Sequence, residues 1–188
     1  MWNLKYKDAY LADVADLMAH PAVRSMEALP QHAKGFSCFH HSALVSYWSW
    51  RLTAALGLDA RAAARGGLLH DLYLYDWTGQ RAPNGRWHGT EHPREALRNA
   101  EALFDLTEKE KDIIAKHMWP LTLAPYGSWE SLVVSCVDKV SAVAELLRLT
   151  PAAADFEAPA RAARPEPEPE PELLPIDRSL PVWPAHVA

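Results

Sequence analysis

Apolar residues recur through most of this chain at intervals of three and four positions, which is the spacing of an amphipathic helix. In the first such segment Tyr10, Val14 and Leu17 share one helical face, and the pattern stops near Pro21. No segment shows the sustained alternation of apolar and polar residues that is typical of a half-buried strand. The pattern predicts an all-α fold in which about six helices form a single bundle without internal repeats.

Capping residues and helix-breaking residues indicate where these helices begin and end. Gly57 and Asp59 separate the second helix from the third, and Thr107 with Glu110 forms a capping box in "TEKE". The stretch "DWTGQRAPNGRWHGTE" contains glycines, a proline and an asparagine, and this composition marks a loop; Pro93 just beyond it suits the first turn of a helix. The predicted helices cover about residues 6–18, 39–56, 60–74, 92–104, 108–119 and 129–149.

The composition changes near Pro151, beyond the last predicted helix. Residues 151–188 are rich in alanine and proline and include "RPEPEPEPE", in which prolines alternate with mutually repelling glutamates and cannot form a helix or a core. The sequence therefore predicts a helical domain over residues 1–150 and a disordered tail over residues 151–188. Apolar residues near the end of the tail, including Trp183, offer a docking motif for a protein partner, although an apolar end without a partner explains them more simply.

The net charge of −5 resides mostly in the tail, which has 7 acidic and 3 basic side chains. Residues 1–150 carry 17 acidic and 16 basic side chains, so they lack the basic excess that binds long nucleic acid, although a small phosphorylated ligand is compatible. Cys38 and Cys136 form no close metal-type pair and are expected to be small buried residues in a reducing compartment. The first residues lack a signal-peptide pattern and no apolar run is long enough to span a membrane, so a cytoplasmic location without membrane contact is expected.

Helical spacing distinguishes histidines that should face the core from those that should not. His41 shares its face with apolar residues, whereas His40 aligns with a more polar face that includes Tyr47 and Arg51. We therefore expect His41, and not its neighbour, to point inward. The apolar face of this helix consists of Leu44, Val45, Trp48, Leu52 and Leu56.

Other ionisable residues also lie in apolar surroundings. His70 and Asp71 lie within "ARGGLLHDLYLYDW", and Asp138 lies within "SLVVSCVDKVSAVAELL". An uncompensated buried charge costs many kcal/mol, so each carboxylate must be protonated, paired or bound to metal. Taken singly, each residue has a simple explanation, such as a hydrogen bond to the backbone or an ion pair between Asp138 and Lys139.

Taken together, these residues favour a metal site. With His92 at the head of the fourth helix and His117 three and four residues after two isoleucines, four histidines and two aspartates from five helices are expected to face inward. Nitrogen and carboxylate ligands without thiolate suit manganese, iron, cobalt or zinc, and six ligands are too many for one catalytic ion with an open position. Two divalent transition-metal ions are therefore predicted. Adjacent helical positions differ by about 100° in direction, so Asp71 is expected to bridge the ions while His70 binds one of them.

A resemblance to a known family accompanies this ligand set. It covers about residues 32–142 and is carried by "HHSALVSYWSWRLTAALGLD", "AARGGLLHDLYLYDW", "HGTEHP", "EKDIIAKHMWP" and "VVSCVDKVSA". In these motifs the chain resembles the HD-domain superfamily of metal-dependent phosphohydrolases, whose members are helical throughout. The two-metal subgroup has the pattern His, His-Asp, His, His, Asp, which this chain matches at His41, His70, Asp71, His92, His117 and Asp138.

The resemblance implies hydrolysis of a small phosphoester or nucleotide at a binuclear metal site, with Asp71 and His70 at the catalytic centre. It favours a small substrate, because the Ile-Gly-Lys that follows the His-Asp pair in many phosphodiesterase members is replaced here by "LYL". Two alternatives stay open. One is a di-iron oxygenase, since such members of the superfamily use the same six ligands, and the other is a ligand-binding module with a catalytically silent site.

Four residues near the ligands in sequence are candidates for contacting the substrate: His88, Arg65, Lys139 and His32. A salt bridge is an equally good explanation for Arg65, which lies about one and a half turns before the His-Asp pair. His88 is as well suited to ordering its loop as to binding substrate. His32 is expected near the mouth of the pocket.

Overall fold

A computed structural model of the chain describes residues 6–32, 35–78, 81–82 and 84–149, and within these ranges the fold is all-α, as predicted. The described residues form seven α-helices and one 3₁₀ turn, with no strand beyond an isolated bridge between Pro30 and Ser37. The elements are α1 (Lys7–Ala19), α2 (Pro21–Ser25), the 3₁₀ turn (Met26–Ala28), α3 (Cys38–Ala55), α4 (Ala60–Leu69), α5 (His88–Leu103), α6 (Glu108–Lys116) and α7 (Trp129–Leu146). The predicted tail, residues 151–188, lies outside the described residues.

Side-chain caps begin several helices where the sequence predicts them. Asp59 Oδ1 accepts the backbone N–H of Ala62 at the start of α4, and Ser128 caps α7 in the same way. Thr107 and Glu110 form the predicted capping box at the start of α6. Each cap satisfies backbone donors that the first turn of a helix leaves free, so these helix starts depend on local sequence alone.

The third predicted helix ends earlier than its periodicity indicates. α4 stops at Leu69, and the chain turns at His70 instead of continuing as a helix to about residue 74. Beyond the turn, Leu72 and Tyr73 bury their side chains in the core from a non-helical segment. Because apolar residues lie on both sides of the helix end, their spacing does not reveal it. His70 and Asp71 therefore lie at a helix terminus and not in the middle of a helix.

Two further differences concern the start of the fourth predicted helix and the segment that follows the first. α5 begins at His88 instead of near residue 92, so Pro93 lies inside the helix and not in its first turn. The short helix α2 and the 3₁₀ turn were not predicted, because segments of three to five residues are too short to show a helical period. His20 Nδ1 caps α2 by accepting the backbone N–H of Ala22.

The inward face of α3 also differs from the predicted one. His41 is fully buried, as expected, but Trp48, Leu52 and Leu56 are 44%, 45% and 58% exposed, and His40 is buried as well. Small polar residues occupy much of the inward face instead: Ser42, Ser46, Ser49 and Thr53. The hydroxyl groups of two of them, Ser46 and Thr53, donate to the backbone carbonyls of Ala64 and Ser49. The apolar pattern therefore predicted the buried face of α3 correctly at His41, Leu44 and Val45, but wrongly at Trp48, Leu52 and Leu56.

The central helix of the bundle is α4, which packs against α1, α3, α6 and α7. Two glycines permit this close packing. A Cβ atom on Gly67 would lie 3.1 Å from Ser46 Cα in α3, and one on Gly66 would lie 2.7 Å from Ile113 Cγ2 in α6. The packing carries the carboxyl end of α4 to the place where α3, α5, α6 and α7 contribute the predicted ligands.

Two remaining expectations concern the cysteines and the membrane. Cys38 is buried, as expected, but Cys136 is exposed, because α7 presents it on the face opposite the core. Within the described ranges, no helix combines the length and the apolar character needed to cross a membrane.

Candidate metal centre

The structure brings the six predicted metal ligands together at the carboxyl end of α4. They come from α3, the turn that ends α4, α5, the end of α6, and α7. All six are buried: His41, His70, Asp71, His92, His117 and Asp138. Two groups of three residues share Asp71: one group also contains His41 and His70, and the other also contains His92 and His117. Within each group, the atoms that could bind a metal ion lie within 4.8 Å of one another. Asp71 belongs to both groups.

Each of the four imidazoles is held through its Nδ1 atom, so its Nε2 atom is left to face the centre. The Nδ1 atoms of His70, His92 and His117 lie 2.8, 3.0 and 2.9 Å from the carbonyl oxygens of Gly67, His88 and Ile114. His41 Nδ1 lies 2.9 Å from Glu145 Oε1. Because a carbonyl oxygen can only accept, Nδ1 carries the hydrogen in the first three rings, and in the neutral ring the Nε2 lone pair is free to bind metal.

The carboxylate of Asp71 lies between the two groups of histidines. Its Oδ1 atom is 3.4 Å from His92 Nε2 and 3.7 Å from His117 Nε2. Its Oδ2 atom is 3.5 Å from His70 Nε2. One carboxylate oxygen thus faces each group, which is the arrangement that a bridging ligand requires.

The separations between donor atoms fit one ion in each group. Two donors bound to the same ion at about 2.0–2.2 Å lie roughly 3.0–3.5 Å apart. Asp138 Oδ1 lies 3.0 Å from His41 Nε2 and 3.6 Å from His70 Nε2, and the Nε2 atoms of His92 and His117 are 2.9 Å apart. When the rings of His92 and His117 are neutral, the lone pairs of their two Nε2 atoms face each other. The buried Nε2 atom of His70 has no hydrogen-bond partner among the described residues. Divalent zinc, manganese, iron or cobalt would satisfy these atoms.

The surroundings hold several ligands in the protonation state that metal binding requires. Burial opposes ionisation of Asp71, but the neighbouring histidines, His70 above all, outweigh it and hold the pKa of this carboxyl well below its usual range. Burial is also the main cause that lowers the pKa of His117 to about 3, and the nearby His70 and His92 add to it. At neutral pH Asp71 is therefore anionic and His117 neutral.

His41 differs from His117 in this respect. Burial lowers its pKa, but hydrogen bonds to Asp138 and Glu145 outweigh the burial and raise the pKa to about 10. In the metal-free protein the ring of His41 is therefore positively charged at neutral pH, with a hydrogen on both nitrogen atoms. A metal ion that binds Nε2 must displace the hydrogen on that atom.

A cavity of about 260 Å³ opens beside the ligands and is lined by three of the four predicted substrate-contacting residues, His32, His88 and Lys139. Lys139 Nζ donates to the carbonyl oxygen of His117 at 2.8 Å, so the ammonium group also ties α7 to the end of α6. The ring of His32 packs edge-on against His41 at a centroid distance of 4.9 Å. A ligating atom of His32 also lies within 4.8 Å of those of His41 and Asp138, so this residue could contribute to the metal site itself.

His88 forms one wall of the cavity at the start of α5. Its ring is stacked between Trp77 and His92, with centroid distances of 5.1 and 4.7 Å, and its Nδ1 atom lies 2.9 Å from the hydroxyl of Tyr75. Burial, with the neighbouring His92, lowers the pKa of His88 to about 4, so the ring is neutral at neutral pH. His88 therefore both lines the cavity and orders the segment around Trp77.

The structure places Arg65 away from the cavity. Its Nε atom donates to Glu110 Oε1 at 2.9 Å, and its terminal nitrogen donates to the carboxylate of Asp16 at 2.8 Å, so the guanidinium group joins α4 to α6 and α1. Arg65 thus forms salt bridges between helices, as one of its two interpretations expected, and it does not line the cavity.

Three residues that the sequence analysis did not single out support the ligands. Gln31 Nε2 donates to Asp71 Oδ2 at 2.7 Å, and the hydroxyl of Tyr73 donates to Gln31 Oε1 at 2.9 Å. Glu145 contacts His41 and lies seven residues after Asp138, which is two helical turns along the same face of α7. This spacing could have identified Glu145, whereas Gln31 lies outside a helix and has no periodic signal.

Comparisons of the chain with known proteins found no match. No protein-family model matches the chain. No curated protein and no solved structure matches it either. The functional interpretation consequently depends on the residues of the site and their geometry.

Proposed function

We propose that this protein is a metal-dependent phosphohydrolase of the HD-domain type, which uses two divalent transition-metal ions to hydrolyse a small phosphoester or nucleotide. The observation that carries the proposal is the position of Asp71, whose Oδ1 faces His92 and His117 while its Oδ2 faces His70. A carboxylate in this position is suited to bridge two ions. A pair of bridged ions is an arrangement that enzymes use to displace a group at phosphorus.

When bound, the two ions would supply a hydroxide nucleophile and would stabilise the charge on the phosphoryl and leaving oxygens. The chain's own residues hold the ligands in place. Backbone carbonyls fix the rings of His70, His92 and His117, and Gln31 holds Asp71 through Oδ2. The ligands therefore need little reorganisation when metal and substrate bind.

The cavity supports a small substrate. Its volume of about 260 Å³ lies below the range that is common for sites of drug-sized ligands. Among the described residues that line it, Lys139 is the only lysine or arginine, and its ammonium group donates to the carbonyl of His117. The negative charge of a phosphoryl group would therefore be met mainly by the metal ions, which suits a phosphomonoester.

Hydrolysis can be tested with protein that is stripped of metal and then reloaded separately with manganese, cobalt or zinc. We expect release of inorganic phosphate from members of a panel of small phosphoesters and nucleotides under anaerobic conditions, with no release by the metal-free protein. Absence of release with every metal, together with substrate-dependent oxygen uptake by the iron-loaded form, would favour the di-iron oxygenase. Absence of both reactions in protein that binds two ions would favour a ligand-binding module.

A further inference from the structure

Glu145 is a fully buried carboxylate near the end of α7. Its Oε1 atom lies 2.9 Å from Nδ1 of His41, and its Oε2 atom is buried without a hydrogen-bond partner among the described residues. A buried carboxylate with an unsatisfied oxygen is costly to a fold. The contact with His41 offsets part of this cost and places Glu145 directly behind one of the proposed metal ligands.

The partner of His41 distinguishes it from the other three imidazoles. His70, His92 and His117 donate Nδ1–H to neutral backbone carbonyls, whereas the acceptor for His41 is a carboxylate. A carboxylate that accepts this hydrogen bond makes Nε2 a stronger electron donor, and it fixes the tautomer and the ring plane. His41 should therefore be the strongest of the four nitrogen ligands.

The two metal positions are also unequal in charge. The position near His41 and His70 has the carboxylates of Asp71 and Asp138 within 4 Å of its nitrogen atoms, whereas for the position near His92 and His117 Asp71 is the one carboxylate of the described residues that lies so close. Glu145 adds a further carboxylate behind the first position. More negative charge close to a divalent ion strengthens its binding.

We infer that Glu145 is a positioning residue, which holds His41 with Nδ1 protonated and Nε2 directed at the metal, and so makes the position of His41, His70 and Asp138 the tighter of the two. This inference rests on the two-metal site of the proposed function. A merely structural buried residue would affect the stability of the fold but would leave the order and strength of metal binding unchanged.

The first test is a titration of metal-free protein with Zn²⁺ in competition with a chelator of known affinity. We expect two binding steps in the wild type. Glu145→Ala should weaken the tighter step about 10- to 100-fold and leave the weaker step nearly unchanged, as is usual when an outer-shell partner of a ligand is lost. Glu145→Gln should lose less, because its amide oxygen still accepts Nδ1–H but carries no charge.

Glu130→Gln provides a matched control on the same helix. Glu130 is also a buried glutamate, but it accepts hydrogen bonds from the backbone of Asp59 and from Lys109, away from the ligands. This variant should bind both ions with wild-type affinity, whatever it does to stability. A loss in the control equal to that in the Glu145 variants would assign the effect to α7 as a whole and overturn the inference.

The second test does not depend on whether Glu145→Ala folds, since it uses the wild type and Glu145→Gln. In the proton NMR spectrum of Zn²⁺-loaded wild type, the Nδ1–H signal of His41 should lie further downfield than those of His70, His92 and His117, because its acceptor is a carboxylate. In Glu145→Gln it should move toward them. A His41 signal within the range of the other three in the wild type would overturn the inference.

The outcomes also separate the inference from the proposed function. If the wild type takes up no Zn²⁺, both fail together. If it binds two ions and the Glu145 variants bind them with the same two affinities, the inference about Glu145 is wrong and the two-metal proposal stands.

Discussion

Replacement of Asp71 by asparagine is the most direct test of the binuclear arrangement, because Asp71 belongs to both groups of ligating atoms. Without its carboxylate, the position near His92 and His117 keeps two of the six proposed ligands. The other position keeps three, among them Asp138. We therefore expect Asp71→Asn to bind one ion per chain instead of the two proposed for the wild type, and to lack the proposed phosphohydrolase activity.

The size of the effect on stability follows from the number of ions lost. An ion present at one hundred times its Kd stabilises the folded state by about 2.7 kcal/mol, so two ions contribute about 5 kcal/mol. For a chain of this length, 1 kcal/mol corresponds to about 2–4 °C in Tm. Metal should therefore raise the Tm of the wild type by about 10–20 °C and that of Asp71→Asn by about half as much.

Elemental analysis after gel filtration and thermal denaturation with and without Zn²⁺ measure these two quantities. Asp112→Asn is the matched control, since Asp112 pairs with Lys116 and accepts the backbone N–H of Gly127 at a distance from the ligands. The control should bind two ions and show the wild-type shift. Two ions in Asp71→Asn, or a shift in Tm equal to that of the wild type, would refute the bridging role.

Two further predictions concern Arg65 and the pH dependence of metal binding. Arg65→Met should leave the buried Glu110 without its guanidinium partner and lower the free energy of unfolding by about 3–5 kcal/mol, with metal content unchanged. Urea denaturation measures the free energy of unfolding and elemental analysis measures the metal content. Loss of metal would contradict a purely structural role for Arg65. Because the pKa of His41 is raised to about 10 in the metal-free protein, binding near neutral pH should release a proton, and the apparent affinity should rise with pH toward that value. Because the pKa of His41 is higher in the fold than in the unfolded chain, protonated His41 stabilises the metal-free fold. This contribution is complete below the ordinary histidine pKa and is lost as the pH rises through about 10. Calorimetry in buffers of different ionisation enthalpy measures the released proton, and a binding enthalpy that is independent of the buffer would count against it.

The helical class and several helix starts were determined by the sequence alone. The caps at Asp59, Thr107 and Ser128 act within one turn of the chain, so local residues suffice to predict them. The six residues proposed as ligands could also be selected from the sequence, because ionisable side chains in apolar surroundings are unusual wherever they occur. The structure brings all six of them together.

Other features were decided only by tertiary structure. The exposure of Trp48 and Leu52 depends on which parts of α3 are covered by other helices, whereas a hydrophobic period describes only the helix that contains it. Arg65 is held by Glu110 and Asp16, and His41 meets Glu145 across 104 positions of sequence. Such pairs form when distant segments pack, so no local pattern specifies them. The residues able to bind metal could thus be read from the chain, but the acceptor that orients each imidazole was set by the packing of the helices.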